Sequence, residues 1–493
     1  MDYLDPQKEL RHRIILLVGY VLIAIAITIG TLILVYEAYG FGLGKNGNVI
    51  QNGLLFFSSQ PHPANIYVNG ILAKSQTNTR LVLPENIYHV TLTRSGYRPW
   101  QRTIELLGGT VEHFDYPFLI PAKLTTKKEQ PYNGAPGLMT QSPDRRWLLV
   151  QTPGSMTSFE MYDLTTSPLK TPATFSLPSG ILTKATTNEK WQLDEWADDN
   201  RHVLLEHDYD GKSEFILVDR TNPDQSLNLN TTLATNPPEL KLVNKKYDQY
   251  YLYTPTTGDL QTATLASTKV APALQHVLAF QSYGSDTILY VTNNGASPGK
   301  VLIKLQSGGQ TYTLHSLPAG TNYLVDLTKY SGTLYVAVGA GSENKVYIYQ
   351  DPIGQLAAQP KQALVPAQVL RVNNPNYVSF STNAQFIVAE SGTHFGVYDI
   401  ENQKGYQFTT NLPLDTPQIH ASWMDGDRLN YVSGGKLVML DYDNNNRQTL
   451  TTASSNYVPA FPPNYHFVYA VAPSAATGQF ELDQTALLTL TDQ

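Results

Sequence analysis

The sequence predicts a mainly β protein with one N-terminal transmembrane helix. Three observations predict this fold class. The stretch Ile14–Tyr36 contains no charged residue and no proline. Short runs of alternating apolar and polar residues, separated by turn residues, follow it as far as residue 122. From residue 137 onward, a unit of several strands recurs to the end of the chain. We therefore expect a membrane span, a small β-sandwich and a repeat domain, in that order.

The N-terminal apolar stretch is long enough to cross a membrane. A helix of about 23 residues is roughly 35 Å long, against a hydrocarbon core of ~30 Å. Lys8, Arg11 and Arg13 precede the stretch, and Glu37 follows it. Because basic residues beside a span tend to stay inside, we expect a signal anchor with a cytoplasmic N-terminus and extracytoplasmic C-terminal domains. A cleaved signal peptide is the alternative, but its apolar core would be shorter, about 7–15 residues.

Composition narrows the function classes. The chain has 493 residues, no cysteine and a net charge of −7. The lack of cysteine excludes thiolate metal sites and cysteine nucleophiles. A nucleic-acid-binding protein would show a basic face, so we expect no nucleic-acid partner. The 31 tyrosines are typical of β-sheet proteins.

Residues 53–122 carry two pairs of short motifs. GLLFFSS at 53–59 precedes PHPANIYVNG at 61–70, and LPENIYHVTL at 83–92 precedes SGYRPW at 95–100. These motifs resemble the PEGA domain, which implies a small β-sandwich of microbial surface proteins but no defined activity. Pro63 and Asn86 stand where the family has glycines. Asparagine tolerates the left-handed conformation, so the turn at Asn86 should survive, whereas Pro63 cannot take a positive φ and its turn should differ.

The repeat unit is a strand, a tight polar turn, an apolar strand, a loop, a strand often ending in aspartate, and one more strand. Its clearest copy is SPDRRWLLV at 142–150. Eight copies occur at a spacing of roughly 38–55 residues, a period typical of β-propellers. They resemble the WD40-like "Ser-Pro-Asp-Gly" repeats of TolB-type propellers, in which this motif marks the turn between the first two strands of a blade. We expect eight blades, with seven as the alternative.

These features divide the chain into six predicted segments. Glycines and polar residues mark the spacer, and polar residues bounded by prolines mark the linker. The segments are a cytoplasmic tail (1–13), a transmembrane helix (14–36), a spacer (37–52), a PEGA-like β-sandwich (53–122), a linker (123–136) and a β-propeller (137–493).

No stretch predicts a catalytic or cofactor site. A weak calcium look-alike is Asp441, Asp443 and Asn445, but Thr452 stands where a calcium loop needs glutamate. The stretch also falls where the repeat predicts a hairpin turn. Four aspartates end the third strand of four units, and a residue that recurs in this way is expected to support a turn. They are Asp163, Asp219, Asp399 and Asp441.

Three other patterns are better explained by structure than by chemistry. GASPG at 295–299 matches a nucleophile elbow, but a strand is predicted on both sides of it instead of a following helix. His202 and Glu206 share one face of a strand while His207 points the other way, so they cannot chelate one ion. We expect the five tryptophans to pack in the domains: Trp100, Trp147, Trp191, Trp196 and Trp423.

Together these features predict a membrane-anchored extracytoplasmic binding or scaffold protein of a microbial cell envelope. It contacts the membrane through Ile14–Tyr36 and presents its β domains to a polysaccharide or protein partner. We expect no enzymatic activity, cofactor or metal. Two alternatives stay open. One is an envelope glycan-active enzyme with its site in the propeller mouth, which as a glycosidase would need two carboxylates about 5–10 Å apart. The other is a structural stalk or assembly factor.

Overall fold

The computed structural model describes residues 6–38, 40–43, 49–358, 362–415, 420–489 and 491–492. The chain divides between Lys123 and Leu124 into two compact units. Asp492 is grouped with the first unit. The first unit contains a long helix and a β-sandwich, and the second contains the repeat domain.

The N-terminal helix is Pro6–Ala38. Proline suits the first turn of a helix, where its missing N–H would have no partner in any case. Glu9 and Arg13 form an i,i+4 ion pair at 2.9 Å, and the Thr28 hydroxyl donates to the Ala24 carbonyl at 2.8 Å. The apolar side chains of this helix are exposed all round, which is typical of a helix that lies in lipid.

The sandwich of the first unit has two four-stranded sheets, called sandwich sheets A and B. Leu55 and Phe57 of sheet A face Ile66 and Trp100 of sheet B, and all four side chains are buried. Sheet A contains Phe41–Leu43, Val49–Phe57, Thr79–Pro84 and Val111–Phe114. Sheet B contains Asn65–Val68, Ile71–Gln76, Asn86–Thr93 and Trp100–Leu106.

Two expectations for the first unit are wrong. The spacer prediction for 37–52 fails in part, because Phe41–Leu43 pairs antiparallel with Val49–Phe57; residues 44–48 lie outside the described residues. The expected left-handed turn at Asn86 is absent, since Asn86 does not have a positive φ and begins a strand. Its side-chain oxygen instead accepts the Ile87 amide at 2.8 Å.

The second unit contains eight sheets within the described residues, numbered 1 to 8 in chain order. Sheets 1 to 7 each have four antiparallel strands in sequential order. The strands of sheets 1 to 4 are Met139–Gln141, Trp147–Gln151, Ser158–Asp163, Ala173–Ser176; Glu189–Trp196, His202–Tyr209, Lys212–Asp219, Leu227–Asn228; Glu239–Leu242, Gln249–Thr254, Asp259–Thr264, Ala271–Leu274; Val277–Tyr283, Thr287–Thr292, Lys300–Ser307, Gln310–Pro318.

The remaining sheets follow the same order. The strands of sheets 5 to 7 are Tyr323–Tyr330, Thr333–Ala340, Lys345–Gln350, Gln368–Arg371; Tyr377–Phe380, Phe386–Ser391, His394–Asp399, Lys404–Thr409; Ser422–Trp423, Arg428–Ser433, Lys436–Asp441, Gln448–Thr452. Within the described part of the second unit, four short helices lie between strands: Pro223–Gln225, Leu229–Thr232, Val243–Lys245 and Gly341–Glu343; a fifth helix, Pro352–Ala358, precedes the last strand of sheet 5.

Sheet 8 closes the domain with a strand from its N-terminal side. Phe467–Pro473 pairs with Phe480–Ala486, which pairs antiparallel with Thr126–Pro131. The linker prediction for 123–136 is therefore wrong over these residues, because they form the outer strand of a sheet. Ala460 adds a two-residue bridge to Tyr469 on the inner side. The prediction of eight blades counts sheet 8 as a blade, and the alternative of seven blades does not.

The middle strands of the sheets are the most deeply buried. Every residue of Thr287–Thr292 in sheet 4 and of Arg428–Ser433 in sheet 7 is buried. A central strand covered on both faces by neighbouring sheets has this pattern, unlike the half-buried strands of the sandwich. The sheets therefore stack face to face, and their packing forms the core of the second unit.

Candidate functional site

The first strands of sheets 1 to 7, together with residues 458, 459 and 461 before sheet 8, line one cavity. Its volume is about 1020 Å³. Contributions come from every sheet in turn, from Met139 in sheet 1 to Phe461 beside sheet 8. A cavity lined by all the inner strands is the central channel of a propeller. This channel is the candidate functional site.

Side chains from neighbouring sheets satisfy the free backbone groups of the inner strands. Glu195 of sheet 2 accepts the Leu242 amide of sheet 3, and Asp326 of sheet 5 accepts the Phe380 amide of sheet 6 at 3.1 Å. Gln141 of sheet 1 exchanges two hydrogen bonds with the Phe461 backbone, at 2.8 and 3.2 Å. An inner strand has an unpaired edge, so these bonds replace water and tie each sheet to the next.

Burial perturbs the two carboxyl groups that line the channel and make these bonds. It raises the pKa of Asp326 to about 6, against the opposing effects of two backbone amides and of Lys245. It also raises the pKa of Glu195, against the Leu242 amide and Lys241. Both carboxyl groups are already engaged with the backbone, so they act first as structural acceptors.

Three cations line the channel. Arg145, Lys241 and Lys245 form no salt bridge in the part of the chain that the structure describes. Lys241 Nζ lies 5.1 Å from the Phe280 ring centroid, and Arg145 lies 5.3 Å from that of Tyr465, which are cation–π distances.

Apolar side chains are also open to the channel. Leu193 is 41% exposed and Val458 is 51% exposed, and these two are among the few large exposed hydrophobic residues of the second unit. Trp423 is half-buried at the channel wall, and its indole N–H donates to the Ser379 hydroxyl at 3.2 Å. The channel therefore offers apolar surface and positive charge together, a combination that sequence reasoning did not find.

The recurring aspartates support turns, as expected. Asp219 Oδ1 accepts the amides of Thr221 and Asn222 at 3.0 and 3.1 Å. Asp399 Oδ1 accepts the amides of Glu401 and Asn402, both at 3.1 Å. Asp163 also accepts a backbone amide two residues further on, from Thr165 at 3.1 Å.

Two of these aspartates also pair with an arginine from the turn between the first two strands. Arg146 reaches Asp163 at 2.7 Å, and Arg201 reaches Asp219 at 2.5 Å. The ion pairs repeat in sheets 1 and 2 and join the turn to the end of the third strand. They stabilise sheets 1 and 2, and none of the four residues lines the channel.

The calcium look-alike forms a tight turn. Asn444 and Asn446 have φ angles of 68° and 52°, and the Asp441 amide donates to the Asn445 carbonyl at 3.0 Å. Asp443 accepts both the amide and the side-chain N–H of Asn445, at 3.1 and 2.7 Å. Asp441 Oδ2 accepts from Asn446 at 2.8 Å. Among the described residues, no group of three or more His, Asp or Glu side chains could hold a metal.

The other sequence patterns also have structural roles. GASPG is a hairpin loop between paired strands of sheet 4. His202 stacks on Tyr247 at 4.1 Å and bonds Asp199, whereas His207 is fully buried between Glu189 and Glu214. The two histidines have different partners, so they do not form one site.

Most of the tryptophans pack as expected. Trp100, Trp191 and Trp196 are buried, and the Trp196 indole N–H crosses to Thr140 of sheet 1 at 2.9 Å. Arg146 and Arg220 both lie over the Trp147 ring, at 4.6 and 4.0 Å.

The sheets and channel define the second unit as a β-propeller, and it follows a β-sandwich and an apolar N-terminal helix. Residues 52–119 match the PEGA domain, which confirms the identity of the sandwich. The match covers the first unit's sandwich and not the whole chain. No curated protein sequence matches this chain significantly.

Solved structures with a similar arrangement are distant in sequence. An oligogalacturonate lyase in complex with manganese is 10% identical with a TM-score of 0.40, covering 75% of this chain and 98% of its own. The Swd1 β-propeller domain from Myceliophteria thermophila is 11% identical with a TM-score of 0.38, covering 74% and 100%. Dipeptidyl peptidase 4 from Porphyromonas gingivalis is 12% identical with a TM-score of 0.46, covering 72% and 60%. Their activities belong to those proteins, and the fold of this chain rests on its own sheets.

Proposed function

We propose that this protein is a membrane-anchored binding protein of a microbial cell envelope, with its ligand site in the propeller channel. The helix Pro6–Ala38 holds it in the membrane, and the two β domains lie on the extracytoplasmic side. Among the described residues, one segment, Glu9–Glu37, is long and apolar enough to cross a membrane. The PEGA domain supports a surface location.

The composition of the channel carries this proposal. A concave site with apolar walls and a few convergent polar groups is the usual form of a ligand site. Here Leu193 and Val458 supply exposed apolar surface, and Arg145, Lys241 and Lys245 supply positive charge. Glu195, Asp198 and Asp326 also line the channel, but backbone amides of the next sheet engage Glu195 and Asp326, and this arrangement leaves the three cations able to bind a ligand. It favours an anionic envelope polymer as the ligand.

A binding titration tests the proposal with the full-length protein in detergent micelles. The probes are an acidic polysaccharide (alginate), a neutral polysaccharide (dextran) and an acidic peptide (polyglutamate). We expect at least one acidic probe to bind and dextran not to bind. Because Lys241 and Lys245 would each attract an anionic ligand, the double variant Lys241→Ala, Lys245→Ala should weaken binding about tenfold.

The matched control removes the same charge elsewhere. Lys212 and Lys436 are exposed residues that begin the third strands of sheets 2 and 7, and neither lines the channel. Lys212→Ala with Lys436→Ala should leave the affinity unchanged. Equal losses in the two double variants would mean that net charge, and not the channel, controls binding. No binding of any probe would count against the proposal.

The alternative of an enzyme in the channel needs two free carboxylates. Glu195, Asp198 and Asp326 line the channel, but Glu195 and Asp326 each accept a backbone amide of the next sheet. These bonds give both carboxyl groups a structural role, which favours binding over hydrolysis as the function of the channel.

A further inference from the structure

An apolar patch lies on the outer face of sandwich sheet A. Leu54 lies opposite Val82 on one side and Val111 on the other, so these three side chains form one row across three strands. Leu54 points away from the core because its neighbour Leu55 is fully buried. Val82 is 61% exposed and Val111 is 53% exposed. We call these residues, together with Leu107, the sheet A patch.

Backbone hydrogen bonds place this patch directly beside the end of the helix. The Gly40 amide donates to the Glu37 carbonyl at 3.0 Å, and the Gly40 carbonyl accepts the Asn52 amide at 2.7 Å. The Asn52 carbonyl in turn accepts the Gly109 amide at 2.9 Å. Both Gly40 and the turn 107–110 therefore lie against the same residue of sheet A.

The patch therefore lies a short distance from the residue at which the apolar stretch of the helix ends. Leu54 is two residues beyond Asn52, which is about 7 Å along a strand. Leu107 lies in the adjacent turn and is 52% exposed. Tyr36, the last residue before Glu37, contacts the Phe41 ring at 5.1 Å. Aromatic residues at a helix end are typical of the membrane–water interface.

We propose that the sheet A patch lies on the lipid bilayer and fixes the PEGA domain to the membrane surface. Its occupant is lipid, at the boundary between headgroups and acyl chains. The short connection between helix and sheet leaves no room for the patch to stand far from the bilayer. Apolar side chains within this range gain by inserting a few ångströms into the interface. This inference rests on the proposed membrane anchor.

The experiment uses the full chain in phosphatidylcholine nanodiscs that contain brominated acyl chains. The chain has no cysteine, so a single introduced cysteine carries one fluorescent label. The test positions are Leu107→Cys and Val111→Cys, with Val82→Cys as a replacement if either fails to fold. Tyr36→Cys is the positive control for lipid contact. Ile71→Cys is the matched control, because Ile71 is an apolar side chain that is 75% exposed but lies on sandwich sheet B.

We expect bromolipid to quench the labels at 107 and 111 about threefold more than the label at 71, and nearly as much as the label at 36. Quenching at 107 and 111 no greater than at 71 would overturn the inference. So would labels that are shielded from aqueous iodide but not quenched by bromolipid, because protein would then cover the patch. If the label at 36 is itself unquenched, the anchor in the proposed function is wrong, and this inference is wrong with it.

Discussion

Tyr132 fastens the closing strand of the propeller, and its substitution tests how the domain is closed. Tyr132 follows Thr126–Pro131 directly and is only 3% exposed. It packs in a core cluster between Tyr469 and Leu482 of sheet 8 and Leu148 of sheet 1. Its hydroxyl lies 3.1 Å from that of Tyr162 and 3.3 Å from Glu160. The side chain therefore joins the last sheet to the first.

The magnitude follows from what each substitution removes. Tyr132→Ala deletes a buried aromatic ring, which costs about 3–5 kcal/mol in protein cores. Tyr132→Phe keeps the ring and loses the hydroxyl bonds, while Tyr162 keeps its own bond to Glu160 at 2.6 Å. That loss is about 1 kcal/mol. Lys127→Ala on the same strand is the control, because an exposed side chain should change stability by less than about 0.5 kcal/mol.

Calorimetry on the full-length protein measures the effect. We expect Tyr132→Ala to lower the melting temperature of the propeller by roughly 4–6 °C and Tyr132→Phe by about 1 °C. Hydrogen exchange should show the loss of protection first in Phe480–Ala486, the strand that pairs with Thr126–Pro131. If Tyr132→Ala behaves like Lys127→Ala, or if protection is lost equally in all sheets, this account of closure is wrong.

The remaining predictions concern three other positions. Burial raises the pKa of Asp194 to about 8, and its Oδ2 has no hydrogen-bond partner among the described residues. The ionised carboxyl group therefore destabilises the fold increasingly from about pH 4 to pH 8. Asp194→Asn should raise the free energy of unfolding in urea by about 2–4 kcal/mol at pH 8 and by little at pH 4. Burial alone would raise the pKa of Asp219, but hydrogen bonds from Arg201 and from backbone amides outweigh burial and lower the pKa. Asp219→Asn should therefore reduce the free energy of unfolding by about 1–3 kcal/mol at pH 7, and by less as the pH falls below the unfolded-state pKa of about 3.9. Urea unfolding at pH 7 and pH 3 measures both values. A Cβ on Gly53 would lie 2.5 Å from the Leu106 side chain and 2.7 Å from a backbone oxygen, so Gly53→Ala should destabilise the sandwich by about 1–3 kcal/mol in denaturant titration, and an unchanged midpoint would contradict the packing.

Local patterns predicted most of the fold. Apolar length predicted the helix, and alternation predicted strands such as Asn86–Thr93, because both signals lie within a few residues. The strand Ile71–Gln76 was missed because it is a sheet edge with almost every side chain exposed, and so has no alternation. Thr126–Pro131 lies in the predicted linker because its charges and proline are typical of a polar connecting segment. Its pairing partner lies at the other end of the chain, where no local pattern could reveal it.

The candidate site was not predictable for the same physical reason. Arg145 lies in a turn of sheet 1, Lys241 on sheet 3 and Val458 before sheet 8, and they line one cavity only because the inner strands surround one channel. The sequence carries no fixed spacing for such a site. By contrast, the aspartates at strand ends bond to residues two or three positions away, so their role in turns could be inferred from the repeat.

The orientation of the propeller relative to the membrane tests the central claim most directly. Val365 is 70% exposed in the second unit, and a cysteine placed there would be the only one in the chain. Intact cells that produce Val365→Cys are treated with a maleimide that cannot cross membranes, before and after lysis. The account predicts a membrane-bound protein that is labelled fully without lysis. Labelling only after lysis, or recovery of the full-length protein in the soluble fraction, would contradict it.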